Sequence, residues 1–189
     1  MRTIPACARG KLLHRAGTPV AMDADMATAA NPATKRRLIR LLQKAYSSEM
    51  AAAFAYQGHR GSVRREYEKN AIAIIEMEEW VHRVHVREIL KEIGAAPSPS
   101  LEFLMYQIGK TLSGLCYISG WFLPMYVAYL LETMNVKEYE TAARLAAVLG
   151  YKTAERDLLK MAAVEDRHAD TFYKLLTPAT AEAAIAAAG

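Results

Sequence analysis

The 189-residue chain has only two cysteines, Cys7 and Cys116, and they form no pairing pattern. That scarcity excludes a disulfide framework, a structural zinc site and a rubredoxin-type cluster, and it reads as a reducing compartment. No glycine-rich phosphate loop, dinucleotide fingerprint or Ser/His/Asp arrangement occurs, so nucleotide chemistry and serine hydrolysis have no foothold. The formal net charge of +4 attracts anionic lipid or nucleic acid only weakly. Residues 1–33 carry Arg2, Arg9, Lys11 and Arg15 with no acid before Asp23, and lack the continuous apolar core of a signal peptide. They read as a disordered or loosely ordered tail, with Met22 and Met26 as alternative starts. Residues 178–189 read as a frayed, Ala-rich tail. Between them, residues 34–177 are long enough for one domain with a substantial core.

Charge is also missing from Thr111 to Leu131, twenty-one residues in a row. Length alone would admit a membrane span. Gly114, Gly120 and Pro124 interrupt the run, however, and Glu132 closes it. The expectation is a crossover leading into a buried third long helix whose apolar side lies in or on a bilayer. An ordinary bundle core would have the same composition.

What is present is a doubled motif. Glu79-Trp80-Val81-His82 and Glu165-Asp166-Arg167-His168 each place a histidine three residues after a glutamate, and residues so spaced share a helix face. Each pair has an apolar-flanked glutamate upstream, Glu49 and Glu132, 30 and 33 residues before the paired one. Chance alone gives roughly 0.4 such Glu-x-x-His matches in a chain of this composition, so two with matching upstream partners carry weight. Glu49 precedes Met-Ala-Ala-Ala-Phe-Ala and Glu132 lies in Ala-Tyr-Leu-Leu-Glu-Thr-Met, where a buried carboxylate is costly unless paired or metal-bound. Four carboxylates and two imidazoles from four helices are the donor set of a ferritin-like di-iron or di-manganese site. The predicted metal residues are Glu49, Glu79, His82, Glu132, Glu165 and His168, with Glu79 and Glu165 as the bridging, catalytic carboxylates. Tyr56 is expected beside the metals. Two iron ions fit best, and manganese or a mixed Mn/Fe pair suits the same donors.

The fold read from these patterns is all-α: a ferritin-like four-helix bundle with one long crossover containing a short helix. Long helices are predicted over 34–59, 63–93, 119–149 and 151–176, with a short one over 101–112, punctuated by Gly61-Ser62, Gly94 and Gly150. The midpoint of Glu49 and Glu79 is Arg64, and that of Glu132 and Glu165 falls between Val148 and Leu149. Both lie at predicted turns, so each antiparallel pair holds its two glutamates at one level. Arg83, Arg87 and Lys91 with Glu88 and Glu92 read as a solvated ion-pair face, and His85 as a surface residue.

The segment Glu49-Met-Ala-Ala-Ala-Phe-Ala-Tyr56-Gln-Gly58-His59 resembles the first-helix signature of the demethoxyubiquinone hydroxylase family, in which a Tyr follows the ligand Glu by seven positions and a Gly by nine. The ligand order is also similar, and the resemblance runs over about Lys35 to Leu176. It implies a di-iron, O2-dependent monooxygenase that hydroxylates a quinone ring or similar apolar substrate, drawing on an external electron donor. It further implies a membrane-peripheral protein, here expected to be cytoplasmic and on the inner face of the membrane; a homodimer is compatible. The uncharged run that ends at Glu132 would lead into the site, with Trp121 and Phe122 near its mouth. The alternatives are a ferritin-like or rubrerythrin-like di-iron oxidase or metal-handling protein, and, with less support, a tRNA-modifying di-iron hydroxylase. Many di-iron oxygenases place Asp just before each Glu-x-x-His to support a histidine. Here those positions hold Glu78 and Val164, so that support is expected from elsewhere.

Overall fold

The computed structural model describes residues 32–177. The predicted tails lie outside the described residues, except that Pro32 and Ala33 already begin the first helix. Five helices follow: α1 (Pro32–Ser62), α2 (Glu66–Glu92), α3 (Pro99–Leu115), α4 (Phe122–Val148) and α5 (Lys152–Leu176). Every predicted helix end lies within three residues of the observed one. α1 and α2 form one antiparallel hairpin and α4 and α5 the other; α1 meets α4, and α2 meets α5. α3 occupies the crossover and packs on α1. The described residues form an all-α, ferritin-like bundle.

The turn between α4 and α5 shows why the second hairpin keeps its register. Gly150 has φ +80°, which a residue with a side chain rarely adopts. Its N–H bonds the Ala147 carbonyl at 3.0 Å, and the Tyr151 N–H reaches back to Ala146 at 2.9 Å. This pair of bonds is the Schellman closure that ends a helix in one residue.

Two apolar clusters hold the bundle together, one at each end. Leu38, Leu42, Val86, Leu90, Leu158 and Met161 belong to the first, and Tyr56, Ile72, Ile75, Met125 and Phe172 to the second. The doubled Glu/His motif falls between them, so the polar site has a hydrophobic plug above and below.

Two expectations about surfaces are corrected. The uncharged run is shared, as expected, by the crossover (the end of α3 and a turn) and the start of α4, but that start is not buried. The first half of α4 buries Met125, Ala128 and Glu132 but exposes Phe122, Leu123, Tyr126, Val127, Leu130 and Leu131, because α3 leans on α1 and leaves this side of α4 uncovered. No described helix is long and apolar enough to cross a membrane. Arg83 is not on the solvated face with Arg87 and Lys91. Its guanidinium stacks on the Tyr46 ring at 3.7 Å, donates to the Tyr46 carbonyl at 2.6 Å and pairs with Glu102. It thus ties α1, α2 and α3 together. His85 is exposed, as expected.

Candidate metal centre

The structure brings the six predicted residues together at the middle of the bundle, each no more than 3% exposed. Two overlapping groups form: Glu49, Glu79, His82 and Glu165, and Glu79, Glu132, Glu165 and His168. Within each group one donor atom per residue lies within 4.8 Å of all the others. Glu79 and Glu165 belong to both groups, the position a bridging carboxylate needs. Each of the other four belongs to one.

The imidazoles turn Nδ1 inward. His82 Nδ1 stands 2.7 Å from Glu165 Oε1, and His168 Nδ1 stands 3.1 Å from Glu79 Oε1. These are convergences rather than hydrogen bonds. Both Nδ1 atoms, both oxygens of Glu79, Oε2 of Glu49 and of Glu132, and Oε1 of Glu165 are buried without a hydrogen-bond partner. Leaving that many charged oxygens unpaired in a water-free core costs far more than a domain's net stability can spare. Cations at the two convergence points would satisfy them, so the residues present fit a pair of metal ions.

The proton balance supports the same reading. Burial, reinforced by the neighbouring carboxylates, pushes Glu79 and Glu165 well above the ordinary carboxylate range, and burial likewise raises Glu49. Burial would also raise Glu132, but His168, Glu165 and Tyr56 outweigh it and hold Glu132 low. Burial acts to lower His168, yet Glu132 and Glu78 raise it. His82 is lowered to about 4 by burial, with the His168 charge adding to it, which leaves its imidazole neutral. Without metal, Glu49, Glu79 and Glu165 hold protons more readily than free carboxylates do.

Four further side chains hold the donors, and three of them escaped sequence reading. Tyr56 of α1 donates its hydroxyl proton to Glu132 of α4, while Tyr139 of α4 donates to Glu49 of α1. Each tyrosine follows the glutamate of its own helix by seven residues and bonds the glutamate of the other. Tyr56 was expected near the metals; Tyr139, in the same register, was legible by the same spacing. Burial and the adjoining carboxylates raise both phenols well above their usual range, so both remain donors. Asn135 donates to Glu165 Oε2 at 3.2 Å. Glu78 Oε2 lies 2.7 Å from His168 Nε2. Support for that histidine therefore comes from the residue before the first Glu-x-x-His, acting across the bundle on the second. His82 has no counterpart, since Val164 stands in the matching position.

Beside the centre, between α1, α3 and α4, lies a cavity of about 470 Å³. Ala51, Ala55, Ile108, Leu112, Val127 and Leu131 give it a mostly apolar wall, and its size suits a small organic ligand. Tyr56 and Asn135 also line it, so the cavity borders two of the residues that hold the carboxylates. α3 can form the wall because glycines let it approach α1. A Cβ on Gly109 would sit 2.7 Å from the Ala51 Cα, and one on Gly58 would sit 2.2 Å from the Ser113 carbonyl oxygen. This is the physical need behind the glycine nine positions after Glu49. Trp121 lies between the cavity-lining Ser119 and Leu123, and it donates its indole N–H to the buried Glu68 at 2.9 Å, which fastens the α3–α4 turn to α2. Phe122 is exposed and stacks on Tyr126.

No protein-family model matches the chain, and no curated protein matches it. Among solved structures, it is similar to a protein described as one of the ferritin-like, diiron-carboxylate proteins of Bacillus anthracis str. Ames. The alignment covers 76% of this chain and 98% of that one, with a TM-score of 0.55 and 18% sequence identity. At that identity the likeness speaks for the ferritin-like fold. The case for metal rests on this chain's own buried glutamates and histidines.

Proposed function

We propose that the chain is a di-iron, O2-dependent monooxygenase acting on an apolar substrate, with a quinone ring as the candidate that the first-helix resemblance supplies. The observation that carries this reading is the mostly apolar cavity lined in part by Tyr56 and Asn135, the side chains that hold Glu132 and Glu165.

Glu79 and Glu165 would bridge two ions, Glu49 and His82 would hold one, and Glu132 and His168 the other. Carboxylate and imidazole donors without thiolate favour iron, with manganese the next choice. When bound, a ferrous pair supplies the capacity to reduce O2. In the overall reaction one oxygen atom enters a C–H bond as hydroxyl and the other leaves as water. Two electrons and two protons come from an external reductant. The chain's own part is to hold the substrate in the cavity, seal the two ends of the bundle with the apolar clusters, and fix Glu132, Glu49 and Glu165 through Tyr56, Tyr139 and Asn135.

The uncovered face of α4, with Phe122, Leu123, Tyr126, Val127 and Leu130, is the surface we assign to peripheral contact with the inner face of the membrane. Expression in a strain lacking the quinone-ring hydroxylase tests the substrate. Renewed quinone synthesis is the expected result, and its failure with well-expressed, iron-loaded protein would remove the quinone. A large oligomer mineralising many irons per chain would overturn the oxygenase reading altogether.

A further inference from the structure

His59 is buried in the wall of the cavity, 2% exposed, and its Nε2 has no hydrogen-bond partner. The other polar side chains of that wall are mostly engaged. Tyr56 bonds Glu132, Asn135 bonds Glu165, Lys44 pairs with Glu138, and Ser48 bonds the Lys44 carbonyl. Ser119 is only partly buried. His59 is the deeply buried group left over. The bundle also fixes its ring, which lies parallel to Phe172 at a centroid distance of 6.0 Å and an interplanar angle of 10°. Phe172 in turn stacks on Tyr56 at 5.4 Å. Burial lowers His59 to about 4, so the imidazole is neutral, with one N–H to give and one lone pair to accept.

A buried, oriented and unpaired hydrogen-bonding group in the wall of a mostly apolar cavity is the arrangement that sets a ligand's orientation. We propose that His59 anchors the substrate by a hydrogen bond to an oxygen on an otherwise apolar molecule, a ring carbonyl or a phenolic hydroxyl. This deepens the oxygenase reading and rests on it for the cavity's being the substrate site. His59 lies three residues beyond Tyr56, about 4.5 Å along the helix axis. An oxygen held there leaves the rest of a ring directed along the wall towards Tyr56 and the carboxylates. The anchor selects for molecules with such an oxygen over hydrocarbons of the same shape.

Duroquinone and durene are a suitable pair, alike in shape and differing by the two carbonyl oxygens, and duroquinone has no open ring position for Cys116, which also lines the cavity, to attack. Their affinities for the full chain, read by displacement of 1-aminoanthracene, should differ by about tenfold in favour of duroquinone, the scale of one hydrogen bond. His59→Leu should bring the ratio close to one, and His59→Gln should restore a preference. In 15N-labelled native protein, the His59 Nε2 resonance should move with duroquinone and stay with durene. That measurement decides the matter should His59→Leu fail to fold. Equal affinities in native protein, a preference that survives His59→Leu, or an unmoved His59 resonance would each overturn the proposal. Binding needs no turnover, so a protein that selects duroquinone through His59 but hydroxylates nothing would lose the oxygenase reading and keep the anchor.

Discussion

Glu78 and His168, ninety residues apart in the chain, meet at 2.7 Å across the bundle, and the equivalent contact at His82 is missing because Val164 replaces a carboxylate. A carboxylate on the outer nitrogen fixes a metal-binding imidazole and raises its basicity. The two halves of the centre are therefore unequal. Titrating apo-protein with ferrous iron under argon, or with Mn(II), should reveal two sites of different affinity. Glu78→Ala should weaken one of them by about 10- to 100-fold, the usual effect of removing such a partner. Two identical sites, or no response to Glu78→Ala, would contradict this.

Removal of metal should make stability sensitive to pH in a direction set by Glu79 and Glu165. Their folded-state pKa values lie above the usual 4.5, so the folded protein binds more protons than the unfolded chain once pH exceeds that value. Their contribution is fully present below pH 4.5 and is lost as pH rises towards their folded values. Urea unfolding of chelated protein should show this loss, Glu79→Gln should reduce it, and metal should abolish it.

His59 acts with the opposite slope. Its pKa is near 4 when folded and 6.5 when free, so the unfolded chain takes the extra proton between those values and stability falls as pH drops from 6.5 towards 4. His59→Gln should remove that part of the acid sensitivity, on the order of 3 kcal/mol across the window. Unfolding curves of the two proteins at pH 4, 5 and 7 check it; parallel curves would refute it.

The reciprocal tyrosines should be separable by experiment. Tyr56→Phe and Tyr139→Phe each take a donor from a buried carboxylate, at a cost of roughly 1–3 kcal/mol to the apo-protein. Only Tyr56 borders the cavity, so only Tyr56→Phe should also change duroquinone affinity. Thermal melts and the displacement assay, run on both variants, distinguish the two roles.

Gly109→Ala should push α3 away from α1, since the added methyl would meet the Ala51 backbone. Overpacking of this kind typically costs about 1–3 kcal/mol. Greater exposure of the cavity to a fluorescent apolar probe, with unchanged metal content, is the expected signature.

The helices and the six central residues were legible because a four-helix site imposes strict periodicity. Glu-x-x-His fixes a face, and the equal distance of paired glutamates from Arg64 and from the Val148–Leu149 step fixes the level. Tyr139 shares the seven-residue spacing of Tyr56, so it was readable in retrospect. Glu78 looked like a departure because its partner lies on another helix, and sequence spacing says nothing of contacts made across the bundle. His59 was hidden for a similar reason. It reads as the end of a helix, and only the packing of α3 over α1 turns that end into the wall of a chamber. Arg83 followed a charged pattern, yet its neighbour in space is the flat ring of Tyr46.

Tyr56 and Asn135 each face two ways, towards the cavity on one side and a carboxylate on the other. Anything lodged in the cavity presses on the struts that set Glu132 and Glu165. The cavity and the carboxylate cluster thus share a partition two side chains thick, Tyr56 and Asn135, with no helix between them.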